Sequence, residues 1–225
     1  MGKDDQPKHR QHARDLRRRA ATRAPIDRLL IVCEGAKSEP LYFNEIRVQC
    51  RLPTANVQVL PGALGTQPLQ IVQYAETLLR HGDRAHGIEP RSFDRVFVVF
   101  DRDEHPTYSR ALDKAAALDR KIRNDERRPV PFTAIASVPC FELWLLLHFE
   151  DVHAPIDRAA AYERLRVHLP GYEKGGGGCW PATRDRLSEA TDRARARARV
   201  TNAYDGNEPF TGLHELVDVL VHLKG

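Results

Sequence analysis

The chain has 225 residues, of which 41% are hydrophobic and 29% charged, enough for one large domain with a real core. No apolar run approaches the ~20 residues needed to span a bilayer, and the basic N-terminus lacks the apolar segment of a secretory signal. A soluble cytoplasmic protein with no membrane partner is expected. The net charge of +4 is unevenly spread. Residues 1–28 carry nine Lys/Arg and four Asp/Glu, a surplus of five, which leaves 26 basic and 27 acidic residues in the rest of the chain. Residues 1–27 therefore read as a basic arm, able either to touch phosphates or simply to be solvated, and 28–225 as the folded domain. Cys33, Cys50, Cys140 and Cys179 show no CxxC or CxH spacing and read as reduced thiols.

In chain order, "RLLIVCEG" (28–35) is a short apolar run ending in Gly, a buried strand. "SEPLYFNEIRVQ" (38–49) has helical spacing with Pro40 in its first turn. "NVQVLPG" (56–62) alternates as a strand, and "QPLQIVQYAETLLRHG" (67–82) is an amphipathic helix stopped by Gly82. "FDRVFVVFDRD" (93–103) is the most apolar strand, "YSRALDKAAALDRKIRND" (108–125) a helix, and "VPFTAIASV" (130–138) a strand. "CFELWLLLHFE" (140–150) is apolar nearly all round and reads as a deeply buried helix. Alternating strands and helices predict an α/β core over 28–150 with a mainly parallel sheet and right-handed crossovers.

After residue 150 the pattern turns helical. "DRAAAYERLRVHL" (157–169) is a helix, "PGYEKGGGGCWP" (170–181) a glycine-rich loop whose four glycines need mean only flexibility, "ATRDRLSEATDRARARARVT" (182–201) a very basic helix, and "TGLHELVDVLVHLKG" (211–225) an amphipathic closing helix. Residues 151–225 form a helical C-terminal portion.

The chemistry gathers around "VVFDRDEH" (98–105), which places three carboxylates and a histidine directly behind five apolar residues, 96–100. In parallel sheets ligands bind at the carboxyl ends of the strands, where Glu34 and the Asp101-x-Asp103 pair meet from two strands. Such hard oxygens suit Mg²⁺ or Mn²⁺, and positions i and i+2 of an extended segment point the same way. The bland alternative is helix capping or ion pairing. Glu142, on a buried helix, needs a partner or a cation; Glu104 fits an outer position around the cation or a helix N-terminus equally. His148 lies six residues from Glu142 and off its face, more in keeping with a core histidine than a site residue. Lys37, at a loop-to-helix junction, suits a phosphate, although Ser38 beside it could be an ordinary cap. Lys174, before the glycines, is a second candidate for phosphate contact, from a mobile loop. Arg193 and Arg197 share a helical face, either a nucleic-acid track or a solvated surface. No P-loop is present.

The run "LLIVCEGAKSEPLYF", "VFVVFDRDEH", "ASVPCFELWLLLHFE", "GYEKG", "NEPFTGLHELV" resembles the RloB-like proteins, part of the TOPRIM group with topoisomerase, primase and OLD-type nuclease domains. The resemblance covers residue 28 to the C-terminus. It differs at Val138, where relatives often have Asn, and at Glu173–Lys174, where they have paired lysines. It implies a TOPRIM-like (Rossmann-like) fold and metal-dependent phosphodiester chemistry: Glu34, Asp101 and Asp103 as Mg²⁺ or Mn²⁺ ligands, with Glu34 alternatively a general acid/base. It also implies a DNA or RNA substrate, tRNA included, and a role as defence effector beside an AAA/ABC-type ATPase partner. A catalytically silent binding subunit is the alternative, against which the intact acidic set counts. A phosphotransferase with Asp101 as nucleophile fits less well, since its Asp-x-Asp would follow the first strand.

Overall fold

The computed structural model describes residues 26–65, 67–103, 105–206 and 208–223. The basic arm expected at 1–27 therefore lies, but for residues 26 and 27, outside the described residues, as does Glu104.

Five strands form one sheet in the order β2-β1-β3-β4-β5. They are β1 (Leu29–Cys33), β2 (Val57–Pro61), β3 (Arg95–Asp101), β4 (Phe132–Val138) and β5 (Phe210–Thr211). The first four run parallel, and β5 alone is antiparallel, with Ser137 opposite Thr211. The expected α/β architecture with a mainly parallel sheet is thus the one observed.

Side chains of a strand alternate between its faces, and the core divides accordingly. Leu29, Ile31, Cys33, Phe97, Val99 and Ile135 enter one layer, with Tyr42, Phe43 and Ile46 of helix α1 (Ser38–Gln49), Phe141–Leu146 (α4) and Leu213–His222 (α8). Leu30, Val32, Val96, Val98 and Phe100 enter the other, against α2 (Pro68–His81) and α3 (Tyr108–Leu118). Because both faces are covered, β1 is buried at all five positions. That explains its continuous apolar run, each such side chain contributing roughly 1.5–3 kcal/mol.

Three helices are shorter than the periodicity predicts, among them the one expected over 182–201, which begins only at Leu187 after a 3-10 turn at Arg184–Arg186 and ends at Ala198. The helix expected over 108–125 stops at Leu118, because the Asp119 carboxylate accepts the Phe132 N–H at 3.0 Å and the Arg120 N–H goes to the Val130 carbonyl. The one expected over 140–150 ends at Leu146 and tightens: the N–H groups of His148 and Phe149 bond to carbonyls three residues back. After residue 150 come α5 (Arg158–His168), α6 (Cys179–Thr183), α7 (Leu187–Ala198) and α8, interrupted by β5. The glycine loop expected through 181 already turns helical at Cys179.

Candidate active site

β1 and β3 deliver the acidic residues to one rim. The Glu34 N–H continues the ladder to the Val99 carbonyl at 2.9 Å, so Glu34 is fixed at the β1 exit. Its Oε2 accepts the Asp101 N–H at 2.9 Å, which ties the ends of β1 and β3 together. Its Oε1 lies 3.2 Å from His105 Nε2, and that nitrogen is 4.0 Å from Asp103 Oδ2. Ligand atoms of Glu34, Asp103 and His105 all fall within 4.8 Å of one another, a spacing that could hold a cation. The expected set was Glu34, Asp101 and Asp103. His105 joins the converging atoms, whereas Asp101, buried at the strand end, turns its Oδ2 to the Arg158 guanidinium at 3.1 Å. The same guanidinium nitrogen contacts Asp103 Oδ2. Asp103 adopts a left-handed backbone (φ 34°), which swings it off the strand direction.

Glu34, Asp101, Asp103 and Arg158 line a cleft of about 390 Å³ with Lys37, Ser38, Glu39, Glu142 and Lys174. Glu142 is buried on α4, and its Oε1 accepts from the Tyr172 hydroxyl at 3.0 Å, with Lys174 Nζ at 3.4 Å. The expected partner of this carboxylate is thus a tyrosine and a lysine. Glu39, in the first turn of α1, is also buried, and its Oε2 presses on Gly35: a Cβ there would stand 2.3 Å from it. A side chain at position 35 would therefore push the Glu39 carboxylate from its present place.

Crowding shifts the carboxyls. Burial pushes Asp101 well above the usual carboxylate range, and the Glu39 and Glu34 charges add to it. Glu39 is raised by burial first, then by Glu142 and Glu34. Glu34 is raised by burial, partly offset by the Asp101 N–H and by His105. Like charges gathered in a low-dielectric cleft favour neutral forms or a cation.

The glycine loop is pinned rather than loose. The Gly175 N–H donates to Ser38 Oγ at 3.0 Å, the Gly178 N–H to Glu45, the Trp180 N–H to Glu45 Oε2 at 2.9 Å, and Trp180 Nε1 to Gln49 Oε1 at 2.9 Å. Ser38 is therefore no cap for its own helix; it anchors the loop that carries Lys174. Gly175 has φ 77°, and a Cβ on it would meet Lys37 Cδ at 2.6 Å. Lys37 and Lys174 consequently sit together at the mouth of the cleft, both exposed.

Arg193 and Arg197 lie elsewhere and are occupied within the fold. Arg193 Nη1 donates to the Leu147 carbonyl at 2.7 Å, one of the acceptors left open where α4 ends. Arg197 Nε reaches the Pro209 carbonyl at 3.3 Å, and its Nη2 lies 3.4 Å from Glu208. Arg195 on α7 and Arg199 just past its end are exposed. His148 is a core histidine: Nδ1 bonds the Trp144 carbonyl at 3.0 Å and the ring sits edge-on to Trp144.

Sequence reasoning missed Arg158, Glu39 and the ligand role open to His105. His105 stands inside the quoted acidic run, and Glu39 is a carboxylate in the buried turn beside Glu34-Gly35, so both left a signal. Arg158, 55 residues beyond Asp103, left none.

A sheet rim bearing Glu34, Asp101 and Asp103, faced by Glu142 and Lys174, matches the motifs of one family in order and place. The family model of the RloB-like proteins matches residues 29–220. The chain belongs to the RloB-like family. No curated protein and no solved structure matches it.

Proposed function

We propose that the chain is a cation-dependent nuclease of the TOPRIM kind, hydrolysing phosphodiester bonds in DNA or RNA, tRNA included. It acts in the cytoplasm as the effector of an anti-phage defence system, alongside an AAA/ABC-type ATPase. The observation that carries this reading is the convergence of Glu34, Asp103 and His105, with Glu34, Asp103 and Asp101 lining a cleft that Lys37, Lys174 and Arg158 also line. The donor set, hard carboxylates with one imidazole, fits Mg²⁺ or Mn²⁺, and the imidazole tilts it toward Mn²⁺. Bound there, such a cation neutralises phosphate charge and acidifies a water.

The chain's own residues do the rest. Lys37, at the N-terminus of α1, and Lys174 orient the phosphate from the cleft mouth. Glu39, its carboxyl raised by burial, can carry a proton at Oε2 and give it to the leaving oxygen. Tyr172 and Lys174 hold Glu142 in place behind it. Exposed Arg195 and Arg199, one turn apart, extend the phosphate track along α7, in place of Arg193 and Arg197. The basic residues of the N-terminal arm add salt-dependent affinity without sequence choice.

A second reading, a catalytically silent nucleic-acid- or ATPase-binding subunit, has one observation in its favour: the Arg158 guanidinium already balances Asp101 and Asp103. Cleavage of tRNA and of plasmid DNA by the full chain in Mn²⁺, with Asp103→Asn alongside, separates the two. Cleavage abolished by the substitution supports the nuclease; an equally active variant rules this site out.

A further inference from the structure

Beside the acidic cleft lies a second one of about 540 Å³, within the range of roughly 300–1,000 Å³ typical of clefts that take small organic groups. Its apolar walls are Val138, Pro139, Pro155 and Ile156, from the exit of β4 and the turn before α5. Asp103 and Arg158 line both clefts, so the two are neighbours across a single guanidinium. The carboxylate of Asp157, on its edge, is engaged by the Ala160 N–H at 2.7 Å.

Arg102 supplies what an apolar cleft alone would not. Its backbone N–H is held by the Ser137 carbonyl at 2.8 Å, and its guanidinium carbon stands 5.8 Å from the Tyr108 ring. Arg102 lines the cleft, while its Nη1 is turned away from solvent and has no hydrogen-bond partner among the described residues. A buried donor left unpaired is costly, so a small turn of the guanidinium that brings Nη1 to an acceptor in the cleft is favoured.

We infer that this second cleft receives the nucleobase next to the phosphate held in the acidic cleft. Proline rings and branched aliphatic groups cover the faces of the base, and the Arg102 guanidinium turns to donate to its acceptor edge. This rests on the nuclease reading for the position of the phosphate. It also specifies the substrate class. A base stacked and paired in a duplex cannot enter a side cleft without being extruded, so the strand recognised is single-stranded or looped.

The test is binding in EDTA, where no cation is present to support cleavage. Fluorescein-labelled 12-mers of single-stranded RNA, single-stranded DNA and the matching duplexes are titrated with the full chain. The expected result is single-strand affinity at least tenfold above duplex. An abasic nucleotide at one position should lower affinity about tenfold, in line with the 1–3 kcal/mol of a seated base. Ala159→Trp, at an exposed position on the cleft edge, should lower single-strand affinity by a similar factor and leave duplex affinity unchanged. Arg102→Ala should act in the same direction. Photocrosslinking of oligonucleotides carrying a diazirine on one base, whose carbene inserts into C–H bonds, reports on the wild-type chain directly, with adducts expected within residues 138–139 and 155–159. Adducts there stand for the base cleft even if no oligonucleotide is cleaved in Mn²⁺, which would count against the nuclease reading alone. Cleavage in Mn²⁺ with adducts elsewhere and an unaltered Ala159→Trp affinity overturns the base cleft and leaves the nuclease standing. Equal affinity for single strand and duplex also overturns it.

Discussion

Arg158 Nη2 lies 3.1 Å from Asp101 Oδ2, so an arginine from the helical C-terminal portion supplies positive charge to the carboxylates at the end of β3. It also touches Asp103, and so competes for the very oxygens that a divalent cation would use. Arg158→Ala should therefore tighten Mn²⁺ binding about tenfold, equivalent to ~1.4 kcal/mol. In EDTA the same variant should lose about 1–2 kcal/mol, because Asp101 stays buried without its partner. Calorimetry and melting curves on the same samples check both signs. Unchanged Mn²⁺ affinity would mean that the guanidinium and the cation do not share a place.

Asp101 itself strains the fold when charged. Burial, with Glu39 and Glu34 nearby, raises its carboxyl well above the ordinary range. For an acid raised in the folded state, the stabilising contribution is complete below the unfolded pKa of ~4 and is lost as pH rises through the folded value. At pH 8 the metal-free protein thus carries a cost that Asp101→Asn removes. The variant should melt at an equal or higher temperature in EDTA at pH 8, with the gap closing toward pH 5, and should not cleave nucleic acid in Mn²⁺. If Asp101 serves only as a partner for Arg158, the variant will instead melt lower and remain active.

Glu34 and the Asp101-x-Asp103 pair were legible in the sequence because both signals are local: a buried strand is a continuous apolar run, and its exit is the next polar residue. Leu29–Cys33 and Arg95–Asp101 carry that signal strongly. The early end of α3 was not legible, since it depends on Asp119 bonding Phe132, a contact made only once β4 is in place. The two-residue β5 has no period to read; its register rests on Ser137 facing Thr211, with their hydroxyl oxygens 3.0 Å apart. Arg158 was hidden for a similar reason. Its role is set by how α5 docks on the rim, and "DRAAAYERL" reads as a helix start whatever it faces. For Arg193 and Arg197 the helical spacing gives a shared face but not what that face touches, here the Leu147 and Pro209 carbonyls.

Gly175 holds the two lysines of the cleft mouth in register. Its φ of 77° is strained for any other residue, and a Cβ would sit 2.6 Å from Lys37 Cδ. Gly175→Ala should cost about 1–2 kcal/mol and weaken binding of a labelled oligonucleotide by displacing Lys37. Gly171→Ala is the matched control: nothing lies within 4 Å of a Cβ there and its φ is not positive. Equal melting temperatures for the two variants would mean that the loop shifts freely and does not position Lys37.

His148 gives the fold an acid-sensitive point away from the cleft. Burial lowers its pKa from 6.5 to about 4, and its Nε2 has no partner among the described residues. In the unfolded chain the imidazole takes up a proton below ~6.5, which the folded chain refuses until the pH nears 4. For a base depressed in the fold the stability is complete above the unfolded value and drains as pH falls toward the folded one. The drop from 6.5 to about 4 is worth roughly 3–4 kcal/mol at ~1.4 kcal/mol for each pH unit. The raised carboxyls of the cleft act in the opposite direction over the same interval, so the wild-type curve alone mixes the two. His148→Phe isolates the effect: it keeps an aromatic ring against Trp144 and removes the titrating group. The variant should start less stable than the wild type at pH 8, having lost the hydrogen bond to the Trp144 carbonyl, and should draw level with it or overtake it between pH 6.5 and 4.5. Urea unfolding at half-unit pH steps reads the difference. A gap that stays constant over that interval would show that His148 takes up its proton without opening the core.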